Sequence, residues 1–343
     1  MKIKSKLIII EELKPKDMKW GGTKMRKFTK ILFVLILVQS FLFCQFRGKE
    51  WPIYKGDYLG QDPPGFKPKI FVPQIFSRQK PEWVCDCVFS PCRNELYFTV
   101  FDQKKKNCQI MCTKRVNNIW TKPEPVPFNS QHNNLNLCIS TDGYRIFFKS
   151  WRPLPGHTTT EKHSFIWFVH RTKGGWSNPQ PVAYDHVFLP AGHPSISYNG
   201  NLYFRYRSKD NTGNADTHIS RFKNGSYTTP ENLGSNFNTE YIEGDVSIAP
   251  DESYLVVGCW ERPDNNGECD LYVSFHKGDG SWTALKNMGK SINKVHIENN
   301  PTITPDGKYL FYMSVEQTGE APTCSTYWVS TKIIEELRPK NLD

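Results

Sequence analysis

The chain has 343 residues, 14% of them aromatic and 23% charged, with a formal net charge of +10. The charge is uneven: residues 1–24 carry +4 and residues 25–44 carry +3, which leaves +3 for everything from residue 45 onward. With no basic patch interleaved with aromatics, nucleic acid is excluded as a partner.

Residues 1–24 show no structural pattern and read as an upstream extension, with Met25 as the true start. Met25-Arg26-Lys27-Phe28-Thr29-Lys30 is basic, and an apolar run of thirteen residues, Ile31 to Phe43, follows it. That order makes residues 25–44 a secretory signal peptide, too short for a comfortable membrane span. Cleavage after Ser40 would put Val38 at the −3 position. Lipidation of Cys44 is an alternative, although Phe43 is a poor residue before a lipidated cysteine, and a retained anchor is a third. Each version places the folded part outside the cytoplasm, in the periplasm or outer cell envelope, with membrane contact only through the signal or a lipid. Residues 45–68 read as an extended segment.

From there five stretches repeat one pattern. They are VFSPCRNELYF around Cys92, ISTDGYRIFF around Asp142, ISYNGNLYF around Asn199, IAPDESYLVV around Asp251 and ITPDGKYLFY around Asp306. The turn residues stand 50, 57, 52 and 55 positions apart, a period that marks a repeat architecture. Asn-Gly or Pro-Asp-Gly between two β-rich runs makes a tight hairpin. Third strands follow as CQIMCTK, FIWFVHR, THISRFK, DLYVSFH and TYWVST. Fourth strands pair an aromatic with an apolar residue six positions on: Trp120 with Val126, Trp176 with Val182, Tyr227 with Leu233, Trp282 with Met288. Pro123, Pro179 and Pro230 fall inside three of them, as suits an outer strand whose amide faces solvent.

Four strands per unit is the blade of a β-propeller. The fifth unit lacks its fourth strand, and Ile70 to Phe76 keeps the apolar ends and central proline of that strand. The expected fold is all-β: a five-bladed β-propeller of four-stranded antiparallel blades over residues 69–335, its last blade closed by the N-terminal strand. Residues 336–343 form a tail. Six blades is the alternative; a sixth needs about forty more residues, and the chain between Phe76 and Val84 has no room for them.

YLGQDPPGFKPKIFVPQIFS, the PDG hairpins, PENLG, IAPDESY, DLYVSF, SWT and YWVSTKIIEELRP together resemble the WD-repeat-like (PD-type, TolB-like) β-propeller proteins exported by bacteria, of the Bacteroidetes type. The resemblance covers roughly residues 55–340 and implies the fold and export, not an activity. Pro-Cys-Arg-Asn in the first unit and Asp-Glu-Ser in the fourth depart from the usual Pro-Asp-Gly.

There are ten cysteines, and export permits pairing. Cys259 and Cys269 flank a hairpin loop and are the expected disulfide. Cys108 and Cys112 lie about 13 Å apart on one strand. Cys85, Cys87 and Cys92 lack zinc-knuckle spacing, and buried thiols explain them as well.

Aligning the units on their hairpins places Asp86, Asn136, His193, Asp245 and Asn300 at one position just before each first strand, around the channel mouth. Two residues earlier stand Val84, Asn134, Ala191, Glu243 and Glu298. The first five are candidate ligand-binding residues. Asp86, His193 and Asp245 could hold a divalent cation such as calcium, although no cofactor is required. Glu243, Glu298 and Asp245 are candidate catalytic carboxylates for a glycosidic bond. The bland alternative is that Asp and Asn begin strands because they turn the backbone. Asp216 and Asp270 sit at the same face, and the loop from Trp151 to Ser164, with His157 and His163, overhangs it.

No nucleophile elbow, zinc-protease helix or phosphate-binding loop appears. The expectation is therefore a monomeric exported binding or scaffold protein that acts through its channel-mouth face on an envelope protein or glycan. A glycosidase- or sialidase-like hydrolase or a polysaccharide lyase is the alternative.

Overall fold

The computed structural model describes residues 51–79, 82–157, 163–206, 215–294, 296–317 and 321–342. The expected extension, signal peptide, Ser40 cleavage and Cys44 lipidation lie outside the described residues. Ile53–Asp343 forms one compact unit.

Within that unit β1 (Lys69–Ile70) and β2 (Ser77–Gln79) come first, separated by one helical turn, Pro73–Phe76. β3 (Glu82–Phe89), β4 (Glu95–Asp102) and β5 (Asn107–Val116) pair in sequence, and β6 (Ile119–Trp120) and β7 (Glu124–Pro125) both add to β5. β8 (Asn134–Ile139), β9 (Arg145–Ser150) and β10 (Phe165–Thr172) repeat this, with β11 (Gly175–Trp176) and β12 (Gln180–Pro181) on β10. β13 (Ala191–Ile196), β14 (Leu202–Tyr206) and β15 (Asp216–Ser220) form the third set. The β16 (Phe222–Lys223) and β17 (Ser226–Tyr227) ribbon follows it, and β18 (Glu231–Asn232) pairs with β15. β19 (Ile242–Ile248), β20 (Tyr254–Trp260), β21 (Cys269–Phe275) and β22 (Lys286–Asn287) make the fourth. β23 (Ile297–Ile303), β24 (Tyr309–Glu316) and β25 (Thr323–Ser330) make the last, with β1 and β2 both on β25.

The first strands abut in a circle: β3 meets β8, β8 meets β13, β13 meets β19, β19 meets β23, and β23 meets β3 again. The chain is a β-propeller. The expected single fourth strand is divided into two short ladders on either side of Pro123 and Pro179, because proline brings no amide to the ladder.

Each sheet is apolar on both faces, which explains runs such as RIFF and YLVV. On β20, Leu255 and Val257 pack with Tyr203 and Ile219 of the preceding sheet. Tyr254 and Val256 on the same strand pack with Leu310 and Tyr312 of the following one. Alternation along a strand therefore feeds two interfaces at once. The hairpins keep one shape despite their sequences. Gly143, Gly200 and Gly307 sit at φ +71°, +79° and +70°, and Arg93 and Glu252 take the same left-handed conformation at +56° and +63°. The departures from Pro-Asp-Gly thus leave the turn intact and add strain.

The last sheet closes where the sequence placed the closure, in a modified form. Lys69 and Ile70 pair with Trp328 and Tyr327, and Ser77, Arg78 and Gln79 pair with Ser325, Cys324 and Thr323. The helical turn between them starts at Pro73 and buries Ile75 and Phe76. Phe71, fully buried, touches Phe76, Phe89, Phe311 and Trp328 with ring centroids 5.2–5.9 Å apart. The segment before it adds a second clasp. Tyr58 packs between Phe89 of the first sheet and Tyr309 and Trp328 of the last, and Trp120 Nε1 donates to Gly56 O at 2.8 Å.

Phe71→Ala should cost about 3–5 kcal/mol, the range for emptying an aromatic site in a core. Denaturant unfolding followed by tryptophan fluorescence measures it. A loss under about 1 kcal/mol would mean that the closure contributes little.

Candidate functional site

Asp86, Asn136, His193, Asp245 and Asn300 do come together. They line one narrow channel of about 50 Å³ with Phe89, Ile139, Ile196, Ile248 and Ile303, room for a few waters. Their position differs from the expected one. β3 begins at Glu82, so Asp86 lies within its strand rather than before it. The ladder slips at this place in every first strand: between Cys85 and Val88, Leu135 and Cys138, Gly192 and Ser195, Glu243 and Val246, and Asn299 and Thr302. The five residues are those of a repeated β-bulge, which re-aims a side chain.

The bulge also explains the residue types. Asp86, Asn136, His193 and Asn300 have φ of +55°, +52°, +56° and +50°, and Asn, Asp and His tolerate that conformation better than other non-glycine residues. At or near three of the slips, a side chain bonds an amide of the next first strand. Asp86 Oδ2 accepts from the Asn136 amide at 2.9 Å, Ser195 Oγ from the Ile248 amide at 2.9 Å, and Ser247 Oγ from the Ile303 amide at 3.0 Å.

The charges balance within the channel wall. Asp86 also accepts from Thr99 Oγ1 at 2.6 Å and Asn300 Nδ2 at 3.0 Å, and burial pushes its carboxyl up despite these bonds. Burial opposes ionisation of Asp245 as well, but the adjoining His193 ring, Lys149 and Arg205 outweigh it and hold the carboxyl below the usual range. Burial lowers the His193 pKa, and nearby Lys149 adds to this against the pull of Asp245. Lys149 Nζ lies 3.4 Å from His193 Nε2. This geometry suits a neutral ring that donates from Nδ1 to Asp245 and accepts at Nε2.

Lys149 and Arg205 escaped the sequence reading. They occupy the second-strand position seven residues after Asp142 and six after Asn199. Thr99, Gly258 and Met313 fill that place in the other units, and the same hairpin alignment displays the series. Lys149 lies against His193 where residue 192 is glycine: a Cβ there would stand 2.9 Å from Lys149 Cδ.

Two cations against two carboxylates leave no excess negative charge for a metal to neutralise. Among the described residues no three His, Cys, Asp or Glu side chains gather as a metal site. Glu243 and Glu298 are 1% and 0% exposed and do not line the channel. Glu243 accepts from Thr239 Oγ1, and Glu298 from Ser314 Oγ at 2.8 Å. Their partners in the alignment, Val84, Asn134 and Ala191, are buried too. Asp270 takes the amides of Asn266 and Gly267 and the Nδ2 of Asn287, and Asp216 takes Nδ2 of Asn232. Both organise turns. His157 and His163 border residues 158–162, outside the described residues.

The expected disulfide is absent. Cys259 pairs across the ladder with Asp270, and Cys269 with Trp260. Neighbouring rungs face opposite sides of a sheet. Cys259 packs toward the third sheet, whereas the Cys269 thiol lies 3.4 Å from the Glu298 carbonyl oxygen. Both thiols are free.

No protein-family model matches the chain, and no curated protein matches it. Solved structures resemble it at low identity. A protein assigned as TolB from Agrobacterium tumefaciens is 14% identical over 71% of this chain and 74% of its own, with a TM-score of 0.45. A glycoside hydrolase is 11% identical over 90% and 96%, with a TM-score of 0.46. A protein of unknown function from Dyadobacter fermentans is 13% identical over 74% and 99%, with a TM-score of 0.42. The likeness concerns the fold alone.

Burial raises Glu298 to about 7, against about 4.3 in an unfolded chain. The folded state thus holds a proton that the unfolded state has lost, and stability falls as pH rises through that window. Glu298→Gln should remove this fall, gaining on the order of 2 kcal/mol over the wild type at pH 8 relative to pH 5. Parallel melting curves for the two proteins across that range would count against it.

Proposed function

We propose that this protein is a five-bladed propeller exported to the bacterial cell envelope, where it binds an acidic glycan at the channel-mouth face without transforming it. The observation that carries this reading is a cleft of about 580 Å³ beside the channel, lined by Lys105, Lys106, Asn107, Gln131, His132, Asn133 and Trp151. Lys105 and Lys106 lie in the β4–β5 connection, Gln131 to Asn133 lead into β8, and Trp151 follows β9. All three connections belong to the end of the propeller where the first strands start.

The cleft chemistry favours a sugar. An indole face offers a flat apolar surface, the amides of Asn107, Gln131 and Asn133 can bond hydroxyls in either direction, and the lysines suit carboxylates. Lys149 Nζ sits 5.0 Å from the Trp151 ring and holds the indole from the channel side. Catalysis fits less well. The channel carboxylates are spent on bulge hydrogen bonds and neighbouring cations, and Glu298, whose pKa suits a general acid, is sealed between sheets.

An array of uronic-acid-containing and neutral glycans tests the reading. Wild-type protein should retain acidic glycans in a salt-sensitive way. Trp151→Ala, or Lys105→Glu with Lys106→Glu, should weaken retention about tenfold, or about 1.4 kcal/mol. Equal retention of neutral and acidic glycans, or capture of an envelope protein unaffected by these changes, would overturn it.

A further inference from the structure

A third cavity, of about 280 Å³, opens on the far rim, between the second and third sheets. It belongs to neither the channel nor the mouth cleft. Phe147, Phe168, Val182 and Phe222 form its walls, and Arg145 and Tyr227 stand in it. Tyr227 is only 6% exposed, and its hydroxyl is buried without a hydrogen-bond partner. Arg145 lies over the Phe222 ring at 4.6 Å, and no carboxylate among the described residues pairs with it. Asp185, also in the wall, is turned to the amide and hydroxyl of Thr229.

We propose that this slot binds a small aromatic carboxylate. An orphaned buried phenol costs stability unless something accepts its proton, and an unpaired guanidinium presents a planar fork that matches a carboxylate. A ligand that brings two acceptor oxygens satisfies both groups, while its ring occupies the phenylalanine walls. The volume falls just under the usual range for small-molecule sites, roughly 300–1,000 Å³, which limits the ligand to one ring with a short acidic arm.

Calorimetric titration with phenylacetate and with its neutral isostere phenylacetamide tests the assignment. The wild type should bind the acid at least about tenfold more tightly than the amide. Arg145→Met, which keeps the apolar stem, should abolish that preference. Tyr227→Phe should weaken the acid several-fold without lowering the melting temperature of the unliganded protein, because the lost hydroxyl had no partner. Absence of binding at millimolar phenylacetate, equal binding of acid and amide, or a clear drop in unliganded stability for Tyr227→Phe would each overturn it. The tyrosine variant keeps the test decisive if Arg145→Met fails to fold.

Discussion

The outer edge of β25 carries a row of amides and carbonyls, and residues 69–79 supply what they bond to. Without them the last sheet would end in an open edge beside the first, and an open edge pairs with other chains. The closure joins parts of the chain that are remote in sequence: Phe71 N donates to Thr326 O at 2.8 Å, and the Ser77 and Ser325 hydroxyls meet at 2.9 Å. The aromatic cluster around Phe71 and Tyr58 forms only when both ends are in place. Ring closure of this kind is entropically costly, because the loop must close before its long-range contacts can form. The remaining interfaces are local and repeat from sheet to sheet.

The centre obeys a different constraint. First strands converge there, and each is bent by a bulge that turns one residue inward. A left-handed backbone favours Asp, Asn or His at four of the five, Asp245 being the exception, so polar side chains reach the axis whether or not a ligand exists. Like charges gathered there would repel. Lys149 and Arg205 answer the carboxylates from the second strands, and the result is a tied, narrow channel rather than an open pocket.

The propeller and its N-terminal closure were legible because each rests on local chemistry: turn residues at a fixed period, and one proline-centred apolar strand without a partner. The five channel residues were legible as a set for the same reason. Their meaning was not. A bulge leaves no mark in hydrophobic alternation beyond one shifted residue, so Asp86 read as the start of a strand when it lies inside one. Glu243 and Glu298 read as channel groups because the bulge reverses the facing of everything before it. The Cys259–Cys269 pairing failed on register, since a slip of one rung sends two side chains to opposite faces. Lys149 and Arg205 were visible in the alignment but sat among apolar strand residues, where a charge reads as surface.

A channel closed by its own hydrogen bonds leaves the seams between sheets as the places where a ligand can be held. The interfaces there are not equivalent. Phe128, Phe148 and Trp167 fill the space between the first and second sheets, and the cleft beside Trp151 lies at the mouth end. Between the second and third sheets, a cavity remains beside the β16–β17 ribbon, with Arg145 and Tyr227 in its wall. In a propeller with a plugged axis, the room for a ligand lies where repeats differ from one another. Departures from the repeat, rather than the repeat itself, are where specificity for a ligand can be written.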